Sequence, residues 1–311
     1  MSHLNDDTNN SATCHKKAYR QAGLWVLAGA LFFSVMNAIA KGVALLEGDA
    51  IPPLELTFAR YVMAVLVLLP FVLAKPARLK TQHTGRYIIR TLAGFGGIAL
   101  MFVAIQHIPL AAATAIGFTS PIFSMFFAAL LLREKIGSWR WLAAVIGLSG
   151  AFIIASPGGD SVSVGSLIAI LAAVFMGAEI VGVKWLSQTR DRSLTILFYS
   201  NLAGAVISFA AAIPFWVWPT APQFYLLVAI GTVAVIGQIC ILKSARLADA
   251  HFLAPFFYVS LIYSATIGFF IFNEAVTATI LSGCAAILIS AVIMMRSQQK
   301  ISPALTTNES S

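Results

Sequence analysis

Charged side chains are scarce in this sequence. Of its 311 residues only 10% are Asp, Glu, Lys or Arg, whereas 59% are hydrophobic. A water-soluble domain carries roughly 25% charged residues, so a soluble fold of this composition would expose an unfavourably large apolar surface. Immersion in a lipid bilayer removes the conflict, because lipid solvates apolar side chains. The composition therefore indicates an integral membrane protein.

The residues that build most catalytic and metal centres are also few. The three cysteines are too scattered for a disulfide framework or a metal site, and the five histidines lie in tails, loops or the ends of apolar runs. The sequence contains no HExxH motif, no pair of intramembrane aspartates and no GxxxxGK[ST] phosphate loop. Gly94, Gly96 and Gly97 follow no predicted strand, so they indicate close helix packing rather than a dinucleotide site. We predict no catalytic residue, no metal and no cofactor, and we do not expect an enzyme.

Ten apolar runs are long enough to cross a membrane as helices, which takes about 20 residues each. Proline and glycine clusters fall between these runs, where helix-breaking residues belong. The first run follows a basic segment, as in a signal peptide, but it continues to Val43, beyond the length of a signal-peptide core, and so predicts a retained anchor. The predicted spans are 22–43, 54–73, 87–105, 110–132, 139–155, 164–184, 195–217, 224–242, 252–272 and 277–295.

The basic residues set an orientation for these spans. If the N-terminus is cytoplasmic, all of the 20 Lys and Arg residues except Lys41 and Arg60 fall in cytoplasmic tails, loops or adjacent helix ends. A missed span would scramble this alternation. We therefore predict a multi-pass protein of the cell inner membrane with both termini cytoplasmic, and with short polar tails at 1–21 and 296–311 that lack regular structure.

The two halves of the chain resemble each other. Residues 118–154 and 258–294 each contain an apolar helix that ends in a glutamate, Glu134 or Glu274, then a short turn and a helix rich in small residues. The alternative is the general similarity of any two membrane helices. A repeat with five spans must be inverted in its second copy, and inverted repeats are typical of carriers. We predict an all-α membrane fold of two inverted five-helix repeats, 22–155 and 164–295.

With these features the chain resembles the drug/metabolite transporter superfamily, and within it the EamA family. The resemblance rests on Arg60 early in the second span, the AIQHIPLAAATAIGFTSP stretch at 104–121, the Leu-Arg-Glu end of the fourth span and the small-residue fifth span. It implies a central cavity near mid-membrane and the transport of small polar metabolites. The family includes importers of riboflavin and of S-adenosylmethionine as well as exporters of amino acids and metabolites. The second half has Ser200 or Asn201 where Arg60 would be expected, which argues against equal roles for the two halves.

Two ionisable side chains lie clearly inside predicted spans, where a charge usually faces a cavity or a partner. The forked guanidinium of Arg60 suits a carboxylate, phosphate or carbonyl group, and its structural alternative is a pair with Glu55 or with a helix end. Glu179 suits a cationic group or a proton, and its alternative is a pair with Lys184 or another base. Lys41 lies near a span end, where lysine commonly extends to the membrane surface.

Neutral polar and aromatic side chains within the spans complete the candidate site. Each of them can contact a substrate or join two helices. Pro121 and Pro255, inside the fourth and ninth spans, predict bent or broken helices. The predicted substrate-binding residues are Asn37, Arg60, Phe118, Ser120, Glu179, Tyr199, Asn201, Gln238, Tyr258 and Tyr263.

These features predict a transporter of a small polar metabolite that is passive or driven by a solute or ion gradient. Aromatic side chains beside polar groups suit a planar heterocycle, so uptake of a vitamin such as riboflavin is one hypothesis and export of amino acids or related metabolites is the alternative. A membrane-embedded enzyme or receptor is the alternative from another class. The expected partners are the substrate and the lipid bilayer, not nucleic acid, and the protein is expected to be a monomer or a homodimer.

Reporter fusions test the predicted topology. Five spans separate Asp160 from Lys300, so we expect reporters fused after these two residues to lie in opposite compartments. Alkaline phosphatase should be active after Asp160 and inactive after Lys300, and a cytoplasmic fluorescent reporter should give the reverse pattern. Two fusions that report the same compartment would contradict the division into five and five spans.

Overall fold

The protein is predominantly helical in the residues described by the computed structural model, which are 2–46, 51–74, 84–132, 137–155, 163–187, 193–247 and 256–299. No strand occurs within these ranges. The helices are α1 (Ser2–Ala44), α2 (Pro53–Leu73), α3 (Thr84–His107), α4 (Leu110–Gly117), α5 (Ser120–Leu132), α6 (Ser138–Ala155), α7 (Val164–Ser187), α8 (Ser193–Ala212), α9 (Ala221–Leu247), α10 (Val259–Phe272) and α11 (Ala278–Gln299).

The ten predicted spans are confirmed as helices in the described part of the chain. Eight of them are long and apolar enough to cross a membrane, the fourth being α4 and α5 together, while 259–272 and 278–294 form two shorter apolar helices. Residues 251–255, and with them the predicted start of the ninth span and Pro255, lie outside the described residues, as does Glu134.

The prediction of irregular tails is wrong for the residues that the structure describes. Helix α1 begins at Ser2 rather than at Ala22, and α11 continues to Gln299. Neither proline nor glycine occurs between Ser2 and Ala22, so nothing in the local sequence interrupts the backbone hydrogen bonding that the membrane helix begins. The polarity of the sequence therefore predicted where the apolar part of α1 begins, but not where the helix itself begins.

The main contacts between a helix of the first half and a helix of the second have counterparts in which the two halves exchange roles. Helix α3 packs against α7 and α8, and its counterpart α9 packs against α1 and α2. The pairs α2–α8, α4–α10 and α6–α11 each join equivalent helices of the two halves. Both halves thus make the same set of contacts with each other, as a pseudo-two-fold arrangement of two repeats requires.

Small residues let these helices approach closely. A Cβ atom placed on Gly150 of α6 would lie 2.7 Å from the carbonyl oxygen of Gly283 on α11. On α3, a Cβ on Gly96 would lie 2.5 Å from the ring of Phe175, and one on Gly97 would lie 2.9 Å from the Met176 side chain of α7. Lipid provides little hydrophobic force between helices, so such backbone-to-backbone packing supplies much of their attraction.

The outer surface of the helix bundle is apolar. Large side chains that would be buried in a soluble protein are exposed, including Leu66 (51%), Phe152 (62%) and Phe270 (75%). The buried positions instead hold many alanines together with a few large side chains such as Phe102 and Ile105. Lipid tails solvate this surface, so the exposed apolar area costs no free energy in a membrane.

Gly150→Ala should destabilise the bundle, because the nearest atoms to the added methyl group are the Gly283 carbonyl oxygen and the Ala286 Cβ, which cannot move aside as the end of a flexible side chain can. Overpacking of this kind costs about 1–3 kcal/mol, so we expect a clearly lower melting temperature in detergent. Gly85→Ala is the matched control, since a Cβ there meets nothing within 4 Å. Equal melting temperatures for the two variants would contradict the close approach of α6 and α11.

Candidate functional site

The fourth span is broken where its sequence contains Pro121. Helix α4 ends at Gly117, Phe118 caps it, and α5 begins at Ser120. Pro121 has no N–H group, so it cannot donate a helical hydrogen bond to the carbonyl of residue 117. Thr119, at the break, is fully buried and its hydroxyl donates to the Ile116 carbonyl at 2.6 Å. Non-helical backbone is tolerated at membrane depth when it is buried in protein in this way.

The ninth span has a matching break that faces the first. Tyr258 forms the turn before α10, and its ring centre lies 4.7 Å from that of Phe118 at an interplanar angle of 34°. Further along the same helix pair, the Thr114 and Ser264 hydroxyls lie 3.0 Å apart, and the Ser264 hydroxyl lies 3.4 Å from that of Ser34 on α1. Polar and aromatic contacts therefore join the two broken spans.

A polar cluster closes one end of this helix pair. Lys41, at the end of α1, forms an ion pair with Glu274 just after α10, and its Nζ donates to the Ile108 carbonyl at 2.8 Å. Glu274 also accepts the N–H of Leu110, the first residue of α4, at 2.8 Å. Asn273 adopts a left-handed conformation with φ 52°, which asparagine tolerates, and this turn directs the chain back to α4. Lys41, Glu274 and the start of α4 form a unit that we call the Lys41–Glu274 latch.

A small cavity of about 30 Å³ lies between α2, α3, α7, α8 and α9. It has room for one or two water molecules at most. Its lining is far more polar than the surrounding helix interfaces, with charged, amide and hydroxyl side chains from both halves of the chain. The lining residues are Arg60, Tyr61, Arg90, Thr91, Gly94, Ile98, Glu179, Leu197, Ser200, Asn201 and Gln238.

Arg60 is the most deeply buried charge of this cavity. It is 6% exposed, and its guanidinium lies 4.9 Å from the ring centre of Tyr61. The predicted alternative, an ion pair with Glu55, does not form. The Nε and Nη1 atoms of Arg60 are buried without a hydrogen-bond partner among the residues that the structure describes. Buried donors are satisfied in nearly all proteins, so these guanidinium atoms are free to donate to a further group in the cavity.

Glu179 is paired in this structure with Arg90, which agrees with the predicted structural alternative of a nearby base. The side chain of Lys184 lies outside the described part of the chain. Arg90 donates from Nη2 to Glu179 Oε1 at 2.9 Å, and the two side chains are 15% and 27% exposed. Gly94 makes room for the carboxylate, since a Cβ there would lie 2.9 Å from Glu179 Cδ. Two guanidinium groups and one carboxylate leave the described lining with an excess of one positive charge.

The second half contributes neutral polar groups to the same cavity. The Ser200 hydroxyl is buried and has no partner within the described ranges, and Asn201 donates from Nδ2 to the Leu197 carbonyl at 2.7 Å. Gln238 lines the cavity from α9. Arg60 and its counterparts Ser200 and Asn201 therefore face one shared space from the packed pair α2 and α8.

The structure brings six of the ten predicted site residues into two groups. Four line the cavity: Arg60, Glu179, Asn201 and Gln238. Two form the ring pair between the broken spans: Phe118 and Tyr258. The other four are half-buried and lie outside both groups: Asn37, Ser120, Tyr199 and Tyr263.

The sequence-based prediction of the site missed Arg90, which the charge alternation assigns to the cytoplasmic end of the third predicted span. Helix α3 begins at Thr84, so Arg90 lies two turns inside it. A signal for its role was present, because Arg90, Gly94 and Ile98 recur at a spacing of four residues and so share one helix face. All three line the cavity. No group of three or more potential metal ligands occurs in the described part of the chain.

Comparison with known proteins identifies one family over most of the chain. The EamA-like transporter family model matches twice, at residues 21–156 and 163–296. A crystal structure with 20% sequence identity superposes with a TM-score of 0.62 and covers 90% of this chain and 98% of that chain. At this identity the structural likeness shows the fold alone.

Several characterised relatives are similar over nearly their full length. The chain is 30% identical to a riboflavin transporter of Vibrio cholerae, with 90% of this chain and 94% of the relative covered. It is 29% identical to an S-adenosylmethionine uptake transporter of Rickettsia bellii, with 89% and 94% covered. It is 28% identical to the pseudopaline exporter of Pseudomonas aeruginosa, with 86% and 93% covered.

Exchanging the charges of Arg90 and Glu179 tests whether their ion pair stabilises the fold. Arg90→Leu or Glu179→Gln alone should lower the melting temperature, because each leaves a partly buried charge without its partner. The swapped variant, Arg90→Glu with Glu179→Arg, should recover part of that loss. The double variant Arg90→Leu with Glu179→Gln completes a double-mutant cycle. If its loss of melting temperature equals the sum of the two single losses, the ion pair is contradicted.

Proposed function

This chain belongs to the EamA-like transporter family, and from that premise we propose that it is a secondary transporter whose substrate is a small metabolite with a flat heteroaromatic ring and oxygen acceptor groups. Uptake of riboflavin is the first substrate assignment to test. The observation that carries the proposal is the buried guanidinium of Arg60, with two donor atoms unused, in a polar cavity between the two repeats.

The chemistry of the cavity favours an oxygen acceptor over a cationic group. Arginine donates in a fixed fork that matches a carboxylate or a pair of carbonyl oxygens. Glu179, which would attract a cation, is already engaged by Arg90. Hydroxyl and amide groups of Ser200, Asn201 and Gln238 can both donate and accept, so they suit the edge of a heterocycle that presents both kinds of group.

The aromatic pair supports a ring-bearing substrate. Phe118 and Tyr258 pack against each other as a tilted ring pair where the two broken spans meet, one from each repeat. Separation of the repeats would expose two ring faces on which a flat molecule can stack, a contact worth about 0.5–1.5 kcal/mol beyond the area it buries. Riboflavin and S-adenosylmethionine, for which two of the relatives are named, both combine such a ring with oxygen acceptors.

Two features of the fold suit alternating access. Broken helices in equivalent positions of inverted repeats are typical of carrier sites. The Lys41–Glu274 latch joins α1, α4 and the end of α10, at span ends that the charge distribution assigns to the outer side. We propose that the closed latch holds the protein shut toward the outside. A cavity of about 30 Å³ is too small for a vitamin, so the repeats must separate before one can bind.

Export of a carboxylate-bearing metabolite is the second candidate. The excess positive charge contributed by Arg60 and Arg90 favours an anionic group, and one relative is named as an exporter. An amino acid or a related metabolite would supply the carboxylate. In either case we propose placement in the cytoplasmic membrane with both termini cytoplasmic, as the positive-inside rule favours.

Riboflavin uptake tests the first assignment. A riboflavin auxotroph that expresses this protein should grow on limiting external riboflavin and accumulate the labelled vitamin faster than cells with an empty vector. Arg60→Leu should reduce the initial uptake rate roughly ten- to hundredfold, because a hydrogen bond to a charged group contributes about 1.5–3 kcal/mol. Arg60→Lys keeps the charge but loses the fork and should be intermediate.

The conservative control is Arg296→Lys, at an exposed arginine outside the cavity, which should transport like the wild type. Equal uptake by wild type and Arg60→Leu would remove Arg60 from the site. No growth advantage, with the protein verified in the membrane, would overturn the riboflavin assignment. Loss of intracellular amino acids or other carboxylates upon expression would then support the export candidate.

A further inference from the structure

A second and larger cavity lies at the side of the bundle, apart from the polar cavity. It has a volume of about 620 Å³ and lies between the first half of α2, the segment after α8 and the start of α9. Volumes of about 300–1,000 Å³ are typical of small-molecule sites. We call it the lateral pocket and define it by Glu55, Phe58, Trp216, Trp218, Phe224 and Tyr225.

Aromatic side chains form most of its wall. The ring centres of Phe58 and Trp216 lie 5.6 Å apart in an edge-to-face arrangement, and those of Trp216 and Trp218 lie 6.3 Å apart. On the α9 side, Phe224 and Tyr225 are 55% and 72% exposed. Tryptophan and tyrosine are common at membrane interfaces without any ligand, but here several rings line one open cavity instead of standing singly on the surface.

A buried carboxylate lies within this aromatic wall. Glu55 is 1% exposed, and its Oε2 accepts the backbone N–H of Val217 at 3.3 Å. Its Oε1 is buried without a hydrogen-bond partner among the described residues. The described lining contains no lysine, arginine or histidine. An isolated carboxylate in an apolar site is costly, so a positive charge brought by a ligand would stabilise it.

We propose that the lateral pocket binds a lipophilic organic cation, such as a quaternary ammonium or phosphonium ion with apolar substituents. Aromatic faces attract such cations through their negative electrostatic potential, and Glu55 adds a full negative charge. The apolar lining selects against small hydrated cations, and a single carboxylate is not a ligand set for a metal ion. Exposure of Trp218 (85%) and Leu66 (51%) leaves the pocket open to the lipid, so the cation enters from the membrane rather than through the polar cavity.

Equilibrium binding of tritiated tetraphenylphosphonium to the full-length protein in nanodiscs tests this site, with empty nanodiscs to subtract partition into lipid. We expect saturable binding of one cation per chain. Glu55→Gln should weaken the affinity at least tenfold while its amide oxygen still accepts the Val217 N–H, and Trp216→Leu should weaken it several-fold. Neutral triphenylphosphine oxide should not compete at equal concentration.

Trp139→Leu is the matched control, because Trp139 is 60% exposed on α6 and lies outside the pocket lining. It should bind like the wild type, and gel filtration should show all variants folded. Binding that does not saturate, or that is unchanged in both Glu55→Gln and Trp216→Leu, would overturn the proposal. Affinity lost in Glu179→Gln but kept in Glu55→Gln would place the cation in the polar cavity and would equally overturn it.

Discussion

The structure depends on one property of the bilayer, which is that it offers no water to backbone N–H and C=O groups. Each segment at membrane depth must therefore satisfy its own backbone, and in the described ranges it does so as helix. The exceptions are the breaks at 118–119 and at Tyr258, and they occur where the two repeats pack on each other. Irregular backbone is thus confined to the protein interior, which is also where a carrier needs a substrate site. The same property makes glycine valuable, because helices in lipid attract each other mainly through close packing.

The helices of the two halves are arranged symmetrically, but their charged residues are not. The two halves make equivalent contacts, yet the guanidinium groups of Arg60 and Arg90 come from the first half alone, and the second half supplies Glu179 and neutral polar groups. Two inverted repeats can exchange conformations about their pseudo-two-fold axis, which gives the scaffold two states of similar free energy. We propose that the asymmetric cavity between them selects one kind of ligand in both states. The unused donors of Arg60 fit that division, since the scaffold does not need them for its own packing.

Two sites of opposite electrostatic character are embedded in one helix, α2. Arg60 faces the polar cavity, and Glu55, little more than one turn earlier, lies in the lateral pocket. Residues five apart on a helix point in directions that differ by more than a right angle, so the two charges serve different spaces instead of neutralising each other. This geometry explains why the sequence-based alternative of an Arg60–Glu55 pair fails. It also keeps a cation-favouring site apart from an acceptor-favouring one.

The sequence by itself determined the membrane environment, the ten helices, the repeat and the family, because these follow from local properties: the length of apolar runs, the placement of prolines and the alternation of basic residues. It also identified Arg60 and Glu179, since a charge inside an apolar run is conspicuous. Only the tertiary structure decided which polar groups share a space. By sequence alone Arg90 resembles the other basic residues at cytoplasmic span ends, and only the packing of α3 on α7 pairs it with Glu179. Asn37 and Tyr263 are equivalent to Gln238 in the sequence, but of these three only Gln238 lines the cavity. The lateral pocket had no signal in the sequence, because its wall combines α2 with a segment some 160 residues later, and such contacts are set by helix packing rather than by local pattern.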